Sequence, residues 1–288
     1  MASKTSAVAD EPIEVLFALH PKFNLMDFAG PLEVMTSALH DAQDPTSKAF
    51  EVTIAGGEPQ VLSEQGVIIG SQCSWKEAQD RLDDFDVLVV LGGNSEAILK
   101  EKAEPLGLIT AYSELQKKDP SRERTLLSIC TGSLFLAEQG ILSGLSATTH
   151  PDSITTLEIL CSRIVIKGEG EHTDVIEDAR YVVNNLRFEL GDEDENPYIR
   201  RKSEGRRPSN ARKGSMSFKG ASRRESIARR AAMRLGGLRV ITSGGVAAGL
   251  DASLYLVSIL VSENSANEVA RVMQLNWTKG VVVDGLDV

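Results

Sequence analysis

Cys130 stands where an apolar run stops: Leu126-Leu127-Ser128-Ile129-Cys130-Thr131-Gly132-Ser133, followed by the helix-favouring Leu134-Phe135-Leu136-Ala137. A buried strand that ends on a cysteine, with a helix starting directly behind it, is a nucleophile elbow with sulfur as the attacking atom. Only the thiolate attacks, and a free thiol of pKa about 8.5 is mostly protonated at neutral pH. The unpaired N–H groups and positive dipole end of a helix start stabilise that anion, so the sequence predicts a stabilised thiolate here. Cys73 and Cys161 lack this context and read as small buried hydrophobes. Thr131 follows the nucleophile, so its N–H can face a developing negative charge. Gly93, in Gly92-Gly93-Asn94, offers a second N–H that would complete an oxyanion hole. The plain alternative for the two glycines is a turn at a strand end.

Asp27 precedes a helix-like stretch, and by residue type alone it reads as an N-cap. If its carboxyl instead reaches the sulfur, it must hold a proton or accept one from the thiol, because two adjacent anions repel. Spacing suggests no partner for His20, His40 or His172. No His, Cys and carboxylate cluster has metal-ligand spacing, so neither a metal nor another cofactor is expected.

The elements that must position these residues alternate. Strands are expected at 14–19, 50–55, 85–91, 126–129, 163–166, 179–183 and 238–242, with a short hairpin strand near 67–70. Helices are expected after the 21–31 loop, at 76–81, at 109–117, and behind Cys130 to a stop at Gly140. Two more follow, through 250–261 behind Gly244-Gly245-Val246 and over 265–275. Apolar strands alternating with helices predict an α/β fold: a doubly wound, mostly parallel sheet sandwiched by helices. Reactive groups in such sheets lie beyond the carboxyl ends of the strands, where Cys130, Gly92-Gly93 and the Asp27 loop would meet.

Composition bounds the rest. The 288 residues are 42% hydrophobic and 25% charged, as expected of a globular protein with a sizeable core. The formal charge of −10 argues against a nucleic-acid or anionic-membrane binder as a whole. No run reaches the roughly 18 apolar residues of a membrane span, and residues 1–12 read as a disordered start without an apolar leader. Three widely spaced cysteines fit a reducing cytoplasmic setting, with the nucleus as the alternative.

Three segments together resemble the ThiJ/PfpI superfamily, cysteine-containing relatives of the class I glutamine amidotransferases. They are Val87-Leu88-Val89-Val90-Leu91-Gly92-Gly93, Ile129-Cys130-Thr131-Gly132-Ser133, and Thr242-Ser243-Gly244-Gly245-Val246-Ala247-Ala248-Gly249-Leu250-Asp251. The resemblance implies a flavodoxin-like fold, a small-molecule substrate and a homodimer. Asp27-Phe28-Ala29-Gly30-Pro31-Leu32-Glu33-Val34 combined with Cys130-Thr131 resembles the isonitrile hydratase branch, which adds water to an isocyanide to give an N-substituted formamide. It implies Cys130 as nucleophile, Asp27 as proton carrier and a role for the Thr131 hydroxyl, without a cofactor. The Asp-Phe-x-Gly-Pro segment is also similar to sensor domains of transcription regulators, which the sequence disfavours because no helix-turn-helix is expected after the last core helix. Two other readings stand beside the hydro-lyase. One is a glyoxalase- or deglycase-like enzyme on reactive carbonyls with His150 assisting, though Asp27 stands where such enzymes more often carry Glu. The other is a non-catalytic redox or small-molecule sensor.

One stretch fits none of this. The single domain, 13–288, is interrupted at about 189–236 by an insertion that begins acidic (Glu189, Asp192, Glu193, Asp194, Glu195) and turns basic from Arg200 to Arg234. Its composition predicts disorder. Ser203, Ser209, Ser215 and Ser226 each follow basic residues and read as sites for a kinase or regulatory partner, or as chance matches within a solvated linker.

Overall fold

The computed structural model describes residues 11–185, 199–201 and 230–284. In chain order, β1 (Ile13–Leu19) leads into α1 (Leu25–Ser37), and β2 (Phe50–Gly56) into a hairpin of β3 (Gln60–Leu62) and β4 (Ile68–Gly70). Next come β5 (Cys73–Ser74), α2 (Trp75–Asp80), β6 (Val87–Val90), α3 (Ser95–Glu101), α4 (Leu106–Lys118), β7 (Thr125–Ile129) and α5 (Gly132–Glu138). The second half holds β8 (Ser146–Ala147), α6 (Ile154–Ile166), β9 (Asp174–Val175), β10 (Tyr181–Asn185), β11 (Ile199–Arg201) and β12 (Arg239–Ser243). It closes with α7 (Ala247–Leu260), α8 (Glu263–Val272) and β13 (Val281–Asp284).

The main sheet runs β11-β13-β10-β12-β7-β6-β1-β2-β5. From β12 to β5 the neighbours are parallel; β10 lies antiparallel to β12, and β13 and β11 continue in its direction. The central strands are apolar throughout because both faces are covered. Val15, Phe17, Leu19, Val87, Val89, Leu127 and Ile129 pack on one side with residues of α1, α7 and α8. Their neighbours Leu16, Ala18, Leu88, Val90 and Leu126 pack on the other with α4, α5 and α6. Side chains alternate along a strand, so each run feeds two cores at once. The doubly wound sandwich expected from the sequence is the fold.

Three local expectations differ. Residues 163–166 form the last turn of α6, not a strand. Ile154, Leu157, Leu160 and Cys161 are buried at helical spacing, and the β-branched tail simply emerges into solvent, with Ile166 84% exposed. β13 follows the last expected helix and pairs with β10. Asp27 lies inside α1, not at its cap, because Asn24 takes that position.

β10 and β12 pair antiparallel, Tyr181 opposite Ser243, and residues 186–238 lie between them in the chain. Ser203, Ser209, Ser215 and Ser226 lie outside the described residues, as does most of 189–229. The chain is packed at 234–236. Leu235 is buried, Arg234 donates to the carbonyls of Gly140 and Ile141, and the Gln116 amide donates to Gly236 O at 3.1 Å. Residues 199–201 add a strand at the sheet edge. Among the described residues no helix is long and apolar enough to cross a membrane.

Candidate active site

Two strand-to-helix turns meet at the carboxyl ends of β1, β6 and β7. In the first, the Asn24 side chain accepts the Met26 N–H at 3.0 Å and starts α1, which carries Asp27 one turn in. The turn is tied to the end of β6: Asn24 N–H donates to Gly92 O (3.0 Å) and Asn94 N–H to Lys22 O (3.1 Å). Gly93 is required between them. Its φ is +130°, and a Cβ there would lie 2.3 Å from Lys22 O.

In the second turn, Cys130 ends β7 with φ +57°, a left-handed conformation that is uncommon for a residue with a side chain. The surroundings over-determine it. Cys130 N–H donates to both Ser243 O (3.1 Å) and Gly244 O (3.2 Å), and Cys130 O accepts from the Thr149 hydroxyl (3.1 Å) and the Ser133 hydroxyl (3.2 Å). α5 begins two residues later, so the elbow expected from the sequence is present.

Gly92 is the floor that lets the two turns meet. A Cβ on it would be 2.8 Å from Asp27 Oδ2, 2.8 Å from Cys130 Cβ and 2.9 Å from the Thr131 nitrogen. Asp27 is fully buried, and neither carboxylate oxygen has a partner at good hydrogen-bond geometry. Burial pushes its pKa up to about 6; the nearby Cys130 thiol and the N–H groups of Val246 and Gly92 pull it back only in part. Cys130 is pushed up to about 12, first by burial and then by the Asp27 charge, against the opposing pull of the Thr131 N–H and hydroxyl. This reverses the stabilised thiolate expected from the helix start: in a dry pocket beside a carboxylate, two hydrogen-bond donors do not offset desolvation and like-charge repulsion. These shifts favour the pair's negative charge on Asp27 and its proton on sulfur.

The Thr131 N–H and hydroxyl are near enough to the sulfur to pull its pKa down, and the hydroxyl also donates to Gly93 O at 3.5 Å. The Gly93 N–H, expected to face an oxyanion, instead donates to Thr131 Oγ1 at 3.0 Å, so it orients that hydroxyl. His150 stands at the turn that leads into α6. Its Nδ1 accepts the Asp152 N–H at 3.2 Å and caps a short turn, and its ring packs on Gly245, where a Cβ would be 2.6 Å from Cδ2. His20 is wholly buried, with its ring nitrogens 3.1 Å from Pro21 O and Leu91 O, and burial lowers its pKa. Sequence reasoning missed Thr149, because nothing in its type says that it faces Cys130 O. It also missed Val246, whose φ of +32° places its backbone beside Asp27.

Comparison with known proteins bears on the family and the fold. The model of the DJ-1/PfpI family matches residues 13–184. The isonitrile hydratase of Pseudomonas putida is 28% identical over 138 residues, which are 48% of this chain and 52% of that protein, so the match spans about half the length of that relative. Among solved structures, Drosophila melanogaster DJ-1beta superposes with a TM-score of 0.55 at 18% identity, over 93% of this chain and 100% of that one. An AraC family transcriptional regulator from Pseudomonas putida gives 0.52 at 15% identity, over 91% and 100%. At these identities the structures share the fold.

Proposed function

The chain belongs to the DJ-1/PfpI family, and from that premise we propose that it is a cysteine-dependent hydro-lyase of isonitrile hydratase type, with Cys130, Asp27 and Thr131 as its catalytic residues. The observation that carries this reading is the buried Asp27–Cys130 pair under Gly92, a base and a protonated nucleophile held together away from water. The partial similarity to the isonitrile hydratase of Pseudomonas putida supports it.

The chemistry needs a proton carrier near neutral pH, and a carboxyl of pKa about 6 suits that task. Asp27 takes the thiol proton as sulfur attacks the terminal carbon of the isocyanide, then delivers that proton to the same carbon. The product is a thioimidate with new C–S and C–H bonds. Asp27, again a carboxylate, takes a proton from water as the oxygen adds, and passes it to nitrogen. The tetrahedral adduct collapses: the C–S bond breaks, its hydroxyl proton returns through Asp27 to sulfur, and the N-substituted formamide leaves. Thr131 stabilises the anionic sulfur through its N–H and through a hydroxyl that Gly93 N–H holds in place. An isocyanide carries no net charge, so the negative charge on Asp27 does not repel it.

Turnover of an alkyl isocyanide to its formamide tests the reading, with Cys130→Ala and Asp27→Asn as controls. Turnover that is absent from both variants supports it. Consumption of methylglyoxal without any isocyanide turnover would replace it with the carbonyl reading. Inactivity on both substrates, with Cys130 readily oxidised, would replace it with the sensor.

A further inference from the structure

The peptide that follows the left-handed Cys130 is held from behind by a residue that no part of the chemistry touches. Its carbonyl accepts from Thr149 Oγ1 at 3.1 Å and from Ser133 Oγ at 3.2 Å. Ser133 belongs to the first turn of α5 and moves with it. Thr149 comes from a different segment, 1% exposed, and its hydroxyl bonds only this carbonyl among the described residues. In a planar trans peptide the C=O and the N–H point in opposite directions. Fixing Cys130 O therefore fixes the direction of the Thr131 N–H, whose nitrogen lies with Cys130 Cβ against Gly92 and which pulls the thiol pKa down. Donation into the carbonyl also polarises the peptide and strengthens its N–H as a donor.

We infer that Thr149 is a positioning residue: its hydroxyl anchors the Cys130–Thr131 peptide so that the Thr131 N–H is aimed at the reacting sulfur. The inference rests on the reading of Cys130 as the nucleophile, but not on the identity of the substrate. Thr148 supplies an internal control. It is adjacent and fully buried, and its hydroxyl has no partner among the described residues.

The test is the rate of Cys130 alkylation by iodoacetamide at fixed pH, read on the Cys130 peptide by mass spectrometry, together with isocyanide turnover. Thr149→Val keeps the shape and removes the hydroxyl; Thr149→Ser keeps the hydroxyl. Loss of an oxyanion donor outright costs about 10²–10³-fold, so misaiming one is expected to slow alkylation by about tenfold. The expected result is slower alkylation in Thr149→Val, recovery in Thr149→Ser and no change in Thr148→Val. Where isocyanide is turned over, kcat should fall with KM unchanged. Wild-type alkylation in a folded Thr149→Val protein would overturn the inference, as would an equal loss in Thr149→Ser or Thr148→Val. Alkylation that follows this pattern without isocyanide turnover would retain the inference and sink the hydratase reading. The reverse outcome would do the opposite.

Discussion

Among the described residues, two aspartates are buried in opposite ways. Asp251, in α7, is satisfied on every side: Arg180 donates from Nε at 2.7 Å and from Nη2 to Oδ2, and the Thr278 N–H donates to Oδ1 at 2.9 Å. Its backbone carbonyl also accepts the Trp277 indole N–H at 3.1 Å, so one residue ties down the segment that leads into β13. Asp27 is buried more deeply, and among the described residues no cation pairs with it and its oxygens make no hydrogen bond of good geometry; its pKa rises to about 6. The first arrangement holds structure together. The second keeps a charge in an unfavourable place, as the proposed proton carrier requires, and the rest of the fold tolerates the cost.

Exchanging the two demands should give opposite outcomes. Asp27→Asn removes the proton carrier, and turnover should fall by about 10³-fold, within the usual range for acid–base groups, while the protein stays folded. Asp251→Ala should do the reverse and lower stability by about 3 kcal/mol in chemical denaturation. That is the low end for a broken buried pair, because Arg180 remains 39% exposed. Below the new transition, alkylation of Cys130 should stay at the wild-type rate. Equal damage to activity and stability from both changes would erase the distinction.

Gly92→Ala sharpens the comparison from the backbone side. The added methyl would meet Asp27 and Cys130 at 2.8 Å each, and prying the pair apart should cost turnover about 10²-fold. The smallest effect is a pH slope in stability. The folded-state pKa of Asp27 is raised from 3.8 to about 6, so the folded protein holds a proton that the unfolded chain has lost. That group therefore destabilises the fold as pH rises through about 6, by about 1 kcal/mol between pH 5 and pH 7. Wild type should show this loss in denaturant titrations relative to Asp27→Asn. A parallel pair of curves would mean that Asp27 is not held at a raised pKa.

Most of this framework was legible in the residues. Strands such as Val87–Val90 and Thr125–Ile129 are buried on both faces and read as unbroken apolar runs. Cys130 stood out because such a run ended on it. Asp27 is distant in sequence, and only the resemblance connected it to the sulfur; by residue type it read as the cap that Asn24 provides. The direction of the Cys130 shift was not legible, because desolvation depends on what surrounds the sulfur in space and not on the helix behind it. The same holds for His150, whose ring is turned to Asp152 and Gly245, and for Thr149, whose hydroxyl finds Cys130 O across the fold. Residues 163–166 misled because β-branched residues also end helices, and Ile166 emerges into solvent.

The central claim is that Asp27 acts as the base for a protonated Cys130 thiol, and the pH dependence of kcat/KM for isocyanide hydration tests it most directly. The account predicts formamide production that rises through about pH 6 and then levels off across the neutral range, with the rise lost in Asp27→Asn. A rate that keeps climbing with thiol ionisation through pH 8 and beyond, unchanged by Asp27→Asn, would contradict it. In that case free thiolate would be the reacting species and the buried carboxylate a bystander.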